Sequence, residues 1–140
     1  MREIIFKGKN KKTGKWVEGN LIIKEKESKN IETLDNKKPI LETKYFIQYK
    51  NNKNKKEYSS CEVLEKTIGQ YTGFKDKGNN KIFENDIVYV EGEDETATII
   101  WDEETARFIV QFKGWCADFD NYYGKELEII CNNPELENKE

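Results

Sequence analysis

The sequence predicts an all-β protein with minor helix. Three observations carry that class. Short runs rich in Val, Ile, Thr and aromatic residues recur along the chain, and Gly- and Asn-containing turns separate them. No long segment keeps the 3.6-residue apolar period of an amphipathic helix. Short antiparallel strands at regular spacing belong to barrels and sandwiches.

Glu3–Phe6 reads as a first β-type run, and Lys11–Lys15 as a turn centred on Thr13-Gly14, where Gly supplies positive φ. Trp16–Lys24 is the returning strand of that hairpin. Gly19 inside it signals a bulge or a close backbone approach. Glu25–Lys38 is polar and aperiodic and reads as a loop or a weak helical turn, with Pro39 at its exit. Leu41–Lys50 is a strand, the segment 51–56 (NNKNKK) a basic turn, and Glu57–Leu64 the strand back. Gln70–Gly78 reads as a loop because of Gly73 and Gly78. Ile82-Phe83 leads into the strand Asp86–Val90. Gly92–Glu95 is an acidic turn. Thr96–Trp101 and Arg107–Phe112 form the clearest hairpin in the chain. Gly114–Gly124 reads as an aromatic loop, Glu126–Cys131 as a last strand, and Asn132–Glu140 as a tail with room for a short helical turn from Pro134 to the end.

At 140 residues the chain is long enough for one domain, or for two small lobes sharing a core. Hydrophobic and charged residues each make up 36%, so the expected core is thin. No apolar run approaches the roughly 18 residues of a membrane span. The opening MREIIFKGKN has too short an apolar stretch for a signal peptide. A cytoplasmic location is the resulting expectation. Cys61, Cys116 and Cys131 are odd in number, without Cys-x-x-Cys spacing, and read as small buried hydrophobes, not disulfides.

The chain has no histidine. Ser-His-Asp and Cys-His nucleophilic pairs are therefore excluded, as are His-based zinc and iron sites. The spacing of the three cysteines suggests no metal site. Residues 1–60 carry 16 Lys/Arg against 8 Asp/Glu, and residues 61–140 carry 8 against 19, giving +8 and −11. Only Arg2 and Arg107 are arginine, so the basic half offers solvated point charges and few bidentate forks. Such asymmetry is compatible with a nucleic-acid surface, with docking of the two halves, with head-to-tail association, or with lysines that simply solvate loops.

Three blocks resemble the YopX family of phage and prophage proteins. The opening MREIIFKGKNKKTGKWVEGNL is similar to that family's Arg-Glu-Ile start followed by a turn and Trp-Val-x-Gly. TIGQYTGFKDKGNNKIFENDIV resembles its central block, and CNNPELE its closing Asn-Pro-Glu-Leu. The resemblance spans essentially the whole chain, with a variable stretch from Glu25 to Glu62. It implies a small phage or prophage protein, mostly β, whose C-terminal part is similar to an SH3-like barrel. It implies no activity, cofactor or catalytic residue. The expected division is an N-terminal hairpin region over 1–66 and a C-terminal region over 67–140, which can form one unit. Two positions depart from the family pattern. Asn85 stands where the family has Gly, and Asn tolerates positive φ. Cys131 stands where Gly is usual.

In the central block, Tyr71, Phe74, Ile82, Phe83, Ile87 and Val88 are expected in the core. Asp76 and Asp86 are expected to hydrogen-bond nearby backbone in Asx-type turns. A catalytic Asp76–Asp86 pair lacks a base partner, and the spacing from Gly73 to Gly78 is not a phosphate loop. Trp101, Trp115, Phe119, Tyr122 and Tyr123 cluster in sequence with Asp102, Glu103, Glu104, Asp118 and Asp120. They form either a recognition surface for a basic partner or, as the simpler reading, a core in which Trp101 and Phe119 are buried and Tyr122 and Tyr123 cap a barrel end. The candidate interaction surface is therefore Trp115, Tyr122 and Tyr123, with Lys53, Lys55 and Lys56 at the basic turn. The functional expectation is a non-enzymatic phage accessory protein without cofactor or metal. Its partner would be itself, as a homo-oligomer, or a host or phage protein. The alternative is a nucleic-acid-associated protein using the lysine-rich half.

Overall fold

The computed structural model describes residues 1–27, 41–51, 53–54, 56–122 and 126–132. Eleven strands occur among them. They are β1 Phe6–Lys9, β2 Trp16–Glu27, β3 Leu41–Lys50, β4 Tyr58–Glu62, β5 Gly69–Lys75, β6 Lys81–Phe83, β7 Asp86–Val90, β8 Glu95–Asp102, β9 Arg107–Phe112, β10 Trp115–Asp118 and β11 Leu127–Asn132. Two short 3-10 turns, Glu65–Thr67 and Phe119–Asn121, are the helical content of the described residues. The all-β expectation holds.

The strands form two antiparallel sheets, ordered β4-β3-β2-β1-β5-β6 and β10-β9-β8-β7-β11. Strands β5 and β6 lie beyond residue 66 yet extend the first sheet. Neither sheet closes on itself among the described residues, so the SH3-like barrel stays an expectation of the resemblance. The first sheet does curl. A single bridge between Asn10 and Val63 brings the end of β1 beside the end of β4. The fold of this curl packs Ile47 and Val63 as a small core against Gly8, where an added Cβ would stand 3.0 Å from Val63 Cβ.

The β1–β2 hairpin is built as its sequence suggests. Asn10 Oδ1 accepts hydrogen bonds from the amides of Lys12 and Thr13, and Gly14 takes φ +72°. The first strand begins later than Glu3–Phe6 because its register is set from the turn: Lys9 pairs with Trp16 and Phe6 with Gly19. Gly19 is a close-approach residue. A Cβ there would lie 2.0 Å from the Gln48 carbonyl oxygen on β3.

Two expected loops are strands. The Gly-rich segment from Gln70 is β5, held between β1 and β6 with a register shift between Tyr71 and Lys75. Gly73, at φ +90°, lies within that shift, where a bulge needs a left-handed residue. Gly69 lies flat against the Glu84 carbonyl, 2.4 Å from where a Cβ would be. Gly78 is not left-handed; Asn79 takes the positive φ instead. The aromatic segment after Gly114 is β10. Lys113-Gly114 is a two-residue hairpin loop that pairs Trp115 with Phe112.

The main core lies on one face of the second sheet. β7 alternates strictly, with Asp86, Val88 and Val90 inward. These meet Ala97, Ile99, Val110, Phe112 and Leu127, and the cluster is closed by Ile82, Phe119 and Tyr122. Tyr71, Ile82, Phe83 and Val88 are buried as expected, whereas Phe74 and Ile87 are half-buried. Phe74 still stacks on Phe119 at 4.5 Å between ring centroids. Trp101, expected in the core, is 38% exposed. It shares a face with Ala97 and Ile99 but lies past the end of the core, edge-on to Phe108.

The cysteines also differ from expectation. All three are free, but Cys61 is half-buried and Cys116 and Cys131 are exposed. The latter two sit on β10 and β11, the outer strands of their sheet.

The chain passes from one sheet to the other at Glu84-Asn85. The Glu84 amide bonds the Gln70 carbonyl of the first sheet, and the Asn85 amide bonds the Ile99 carbonyl of the second, at 2.9 and 2.6 Å. Asn85 has φ +76°, as the resemblance implies for a position where the family has Gly. Its side-chain amide reaches the Ile68 carbonyl only at 3.5 Å. Asn85→Gly is therefore expected to be neutral, or stabilising by up to about 1 kcal/mol, because relief at positive φ offsets the added freedom of the unfolded chain. Chemical denaturation measures it, and a clear loss of stability would show that the Asn side chain matters.

Candidate functional site: a cleft between the two sheets

A cavity of about 710 Å³ opens where the two sheets meet. Strands β1, β2, β3 and β6 line one side and β7 and β11 the other. Its most buried feature is an ion pair. Lys7 Nζ, on β1, donates to Asp86 Oδ1, on β7. Their side chains are 11% and 2% exposed. Asp86 Oδ2 also accepts from the Phe83 amide at 2.8 Å, a bond to nearby backbone that runs back three positions, unlike the forward Asx turn expected of it. Lys7 Nζ lies 5.0 Å from the Trp16 ring centroid and 5.1 Å from that of Phe83, within cation–π range.

Burial pushes the Asp86 carboxyl above the usual carboxylate range. The Lys7 ammonium and the Phe83 amide pull it down without cancelling that push, and the Asp76 charge adds to the rise. Asp76 itself is held below the usual range. Burial acts upward on it too, but hydrogen bonds from Asn80, Ile129 and Gly78 outweigh it. Both aspartates of the central block are thus occupied by structural bonds.

Around the ion pair the walls are Trp16, Tyr49, Phe83 and Ile129. Lys50, Glu18 and Cys131 stand exposed at the mouth, with Lys81 half-buried beside them. Lys81 also pairs with Glu3 at 3.2 Å. The strand β11 reaches the cleft through a register shift between Ile129 and Cys131, so the position at which Gly is usual lies at a bulge. Among the described residues no group of three His, Cys, Asp or Glu side chains could hold a metal ion.

The sequence did not point to this cleft. Lys7 and Asp86 are 79 positions apart. Lys7 reads as one more lysine in a basic opening and Asp86 as a turn residue. Strand alternation places Lys7 on the face opposite Phe6 and Gly8, so no local pattern marks it as buried; both faces of β1 are covered there.

The residues selected from the sequence lie elsewhere. Trp115 is 41% exposed on the outer strand β10, stacked on Phe112 at 4.1 Å. Tyr122 is buried, edge-on to Phe112, with its hydroxyl 3.3 Å from Glu93; it belongs to the core and not to a surface. Lys53 and Lys56 are exposed at the β3–β4 connection, on the other sheet from Trp115. Tyr123 and Lys55 lie outside the described residues. Of the acidic residues near the aromatics, Asp118 pairs with Arg107 at 2.7 Å.

These features define a two-sheet antiparallel β-protein with a polar cleft at the sheet junction. The family model described as YopX protein matches residues 5–136, and the chain belongs to that family. A search of curated proteins finds no match. No helix among the described residues is long and apolar enough to cross a membrane.

Proposed function

We propose that this YopX-family chain is a non-enzymatic phage or prophage accessory protein of the bacterial cytoplasm, a β module that binds through its sheet edges, in the first place to a second copy of itself. One observation carries the reading. Large apolar side chains are exposed on strands that end a sheet: Tyr58 on β4 at 56%, Trp115 on β10 at 41% and Ile130 on β11 at 53%. An outer strand presents unpaired amides and carbonyls, and apolar side chains on it favour strand addition over solvation. The absence of an enzymatic role is supported by the use of Asp76 and Asp86 in structural bonds and by the lack of histidine.

Light scattering tests it. The expected result is a mass above that of one chain that persists between about 0.05 and 0.5 M salt, because an apolar edge contact is insensitive to a Debye length falling from above 10 Å to below 5 Å. Trp115→Lys should shift the mass to that of a monomer. A monomer at every salt and at high protein concentration overturns self-association. A mass that collapses with salt would assign the contact to the +8 and −11 halves instead. The reading of the lysine-rich half as a nucleic-acid surface has weaker support, since Lys53 and Lys56 are the solvated lysines that a hairpin tip carries in any case.

A further inference from the structure

We propose that the cleft at the sheet junction is a binding site for a nucleotide-type ligand, a flat aromatic ring bearing phosphate. This goes beyond binding through the sheet edges and involves different residues. Three observations support it. The cavity volume lies within the range of small-molecule sites, roughly 300–1,000 Å³. Its walls include two half-buried aromatic rings, Trp16 and Tyr49, from adjacent strands β2 and β3. Aromatic rings are the side chains on which bases stack, and the Lys7 ammonium already covers Trp16 at 5.0 Å, so stacking there uses the ring face away from Lys7. Two ammoniums at the mouth can receive an anion. Asp86 is committed to Lys7 and the Phe83 amide, while Lys50 and Lys81 line the cleft with Glu18, and Glu3 holds Lys81 through an exposed ion pair. Lys50 forms no ion pair among the described residues. A phosphate reaching Lys50 and Lys81 would compete with Glu3 for the latter, at an exposed contact easily given up.

The chemistry divides between the two parts of the ligand. The ring needs Trp16 and Tyr49, and the phosphate needs Lys50 and Lys81. Neither part alone should bind well. The Lys7–Asp86 pair holds the two sides of the cleft together and is not required to contact the ligand.

The test uses the full chain, with AMP and UMP as probes followed by amide chemical shifts. Adenosine and inorganic phosphate serve as half-ligand controls. Saturable shifts are expected at residues 16–18, 49–50 and 81, with adenosine and phosphate each weaker by about fivefold or more. Lys50→Glu, on an exposed side chain, should weaken UMP by about fivefold or more while leaving the unfolding midpoint unchanged, and Trp16→Ala should weaken it independently. Trp115→Lys, remote from the cleft, should have no effect. An oligonucleotide arm separates the two sources of the same chemistry. Binding of a uridine decamer much tighter than UMP, through the same residues, assigns the cleft to one unit of a single strand; equal affinity assigns it to a free nucleotide. Lack of saturable shifts at about 5 mM nucleotide, or shifts that ignore Lys50→Glu, overturns the proposal. Because self-association is read from mass and this site from shifts, either can fail without the other.

Discussion

Asp86→Ala is expected to destabilise the fold by about 3–5 kcal/mol, the largest effect of a single substitution proposed for this chain. Asp86 is 1% exposed and accepts from both Lys7 and the Phe83 amide. The substitution takes a carboxylate away from a buried ammonium and removes the acceptor of a buried amide. It also cuts the tie between β1 of one sheet and β7 of the other. Burial pushes the Asp86 carboxyl up against the downward pull of Lys7, so desolvation offsets much of the attraction within the pair. The intact pair is therefore close to break-even, while removing one partner is costly. The double replacement Lys7→Met with Asp86→Leu should accordingly cost clearly less than the two single changes added together. Urea unfolding of the four proteins measures the cycle. A loss under about 1 kcal/mol for Asp86→Ala would show that the sheets are joined mainly by something else.

Asp76→Ala should cost about 3 kcal/mol, with a distinctive pH dependence. Asp76 Oδ1 accepts from the amides of Gly78 and Asn80 at 2.9 and 2.8 Å, closing the β5–β6 turn. Oδ2 accepts from the Ile129 amide of β11 at 3.2 Å, across 53 positions. Beside it the Lys77 amide bonds the Leu127 carbonyl at 2.9 Å, so one turn is stitched to the outer strand of the second sheet. Because the folded-state pKa is depressed below 3.8, this stabilisation is fully present above the unfolded value and is lost as pH falls through the folded one. Asp86, with its raised pKa, has the opposite sense: its contribution declines as pH rises from the unfolded value through the folded one. The difference between wild type and Asp76→Ala isolates Asp76. That gap should be constant from pH 7 to about 5 and should narrow as pH falls below about 4. A gap unchanged at pH 2 would mean that Asp76 acts by packing and not by charge.

Much of the fold was legible locally. The β1–β2 turn was readable from Lys11 to Lys15 and the β8–β9 hairpin from TATIIW and RFIVQF, while the left-handed residue 85 followed from the family resemblance, in which Gly stands before Asp-Ile-Val. The two strands that read as loops share one origin. Glycine marks a left-handed or crowded backbone, and that condition arises both in loops and in strands. Gly69 and Gly73 belong to a bulged strand only because β1 and β6 stand on either side of it. Trp115 and Cys116 belong to a strand only because β9 offers a free edge. Trp101 and Tyr122 exchanged their expected places, since aromatic content predicts burial on average but not which ring lies beyond the end of a sheet.

The sequence by itself determined the class of structure and the family. Period-2 alternation, turn chemistry and the missing helical period are local properties, fixed by steric limits on a few adjacent residues. The lack of histidine likewise excluded whole groups of reactions without any coordinates. Only the tertiary structure decided where a site lies. Sheet order, the switch between sheets at Glu84-Asn85, the Lys7–Asp86 pair and the cleft around it depend on contacts between residues tens of positions apart. Pairing of strands is set by total burial and hydrogen-bond satisfaction over the whole chain, so no local window contains it.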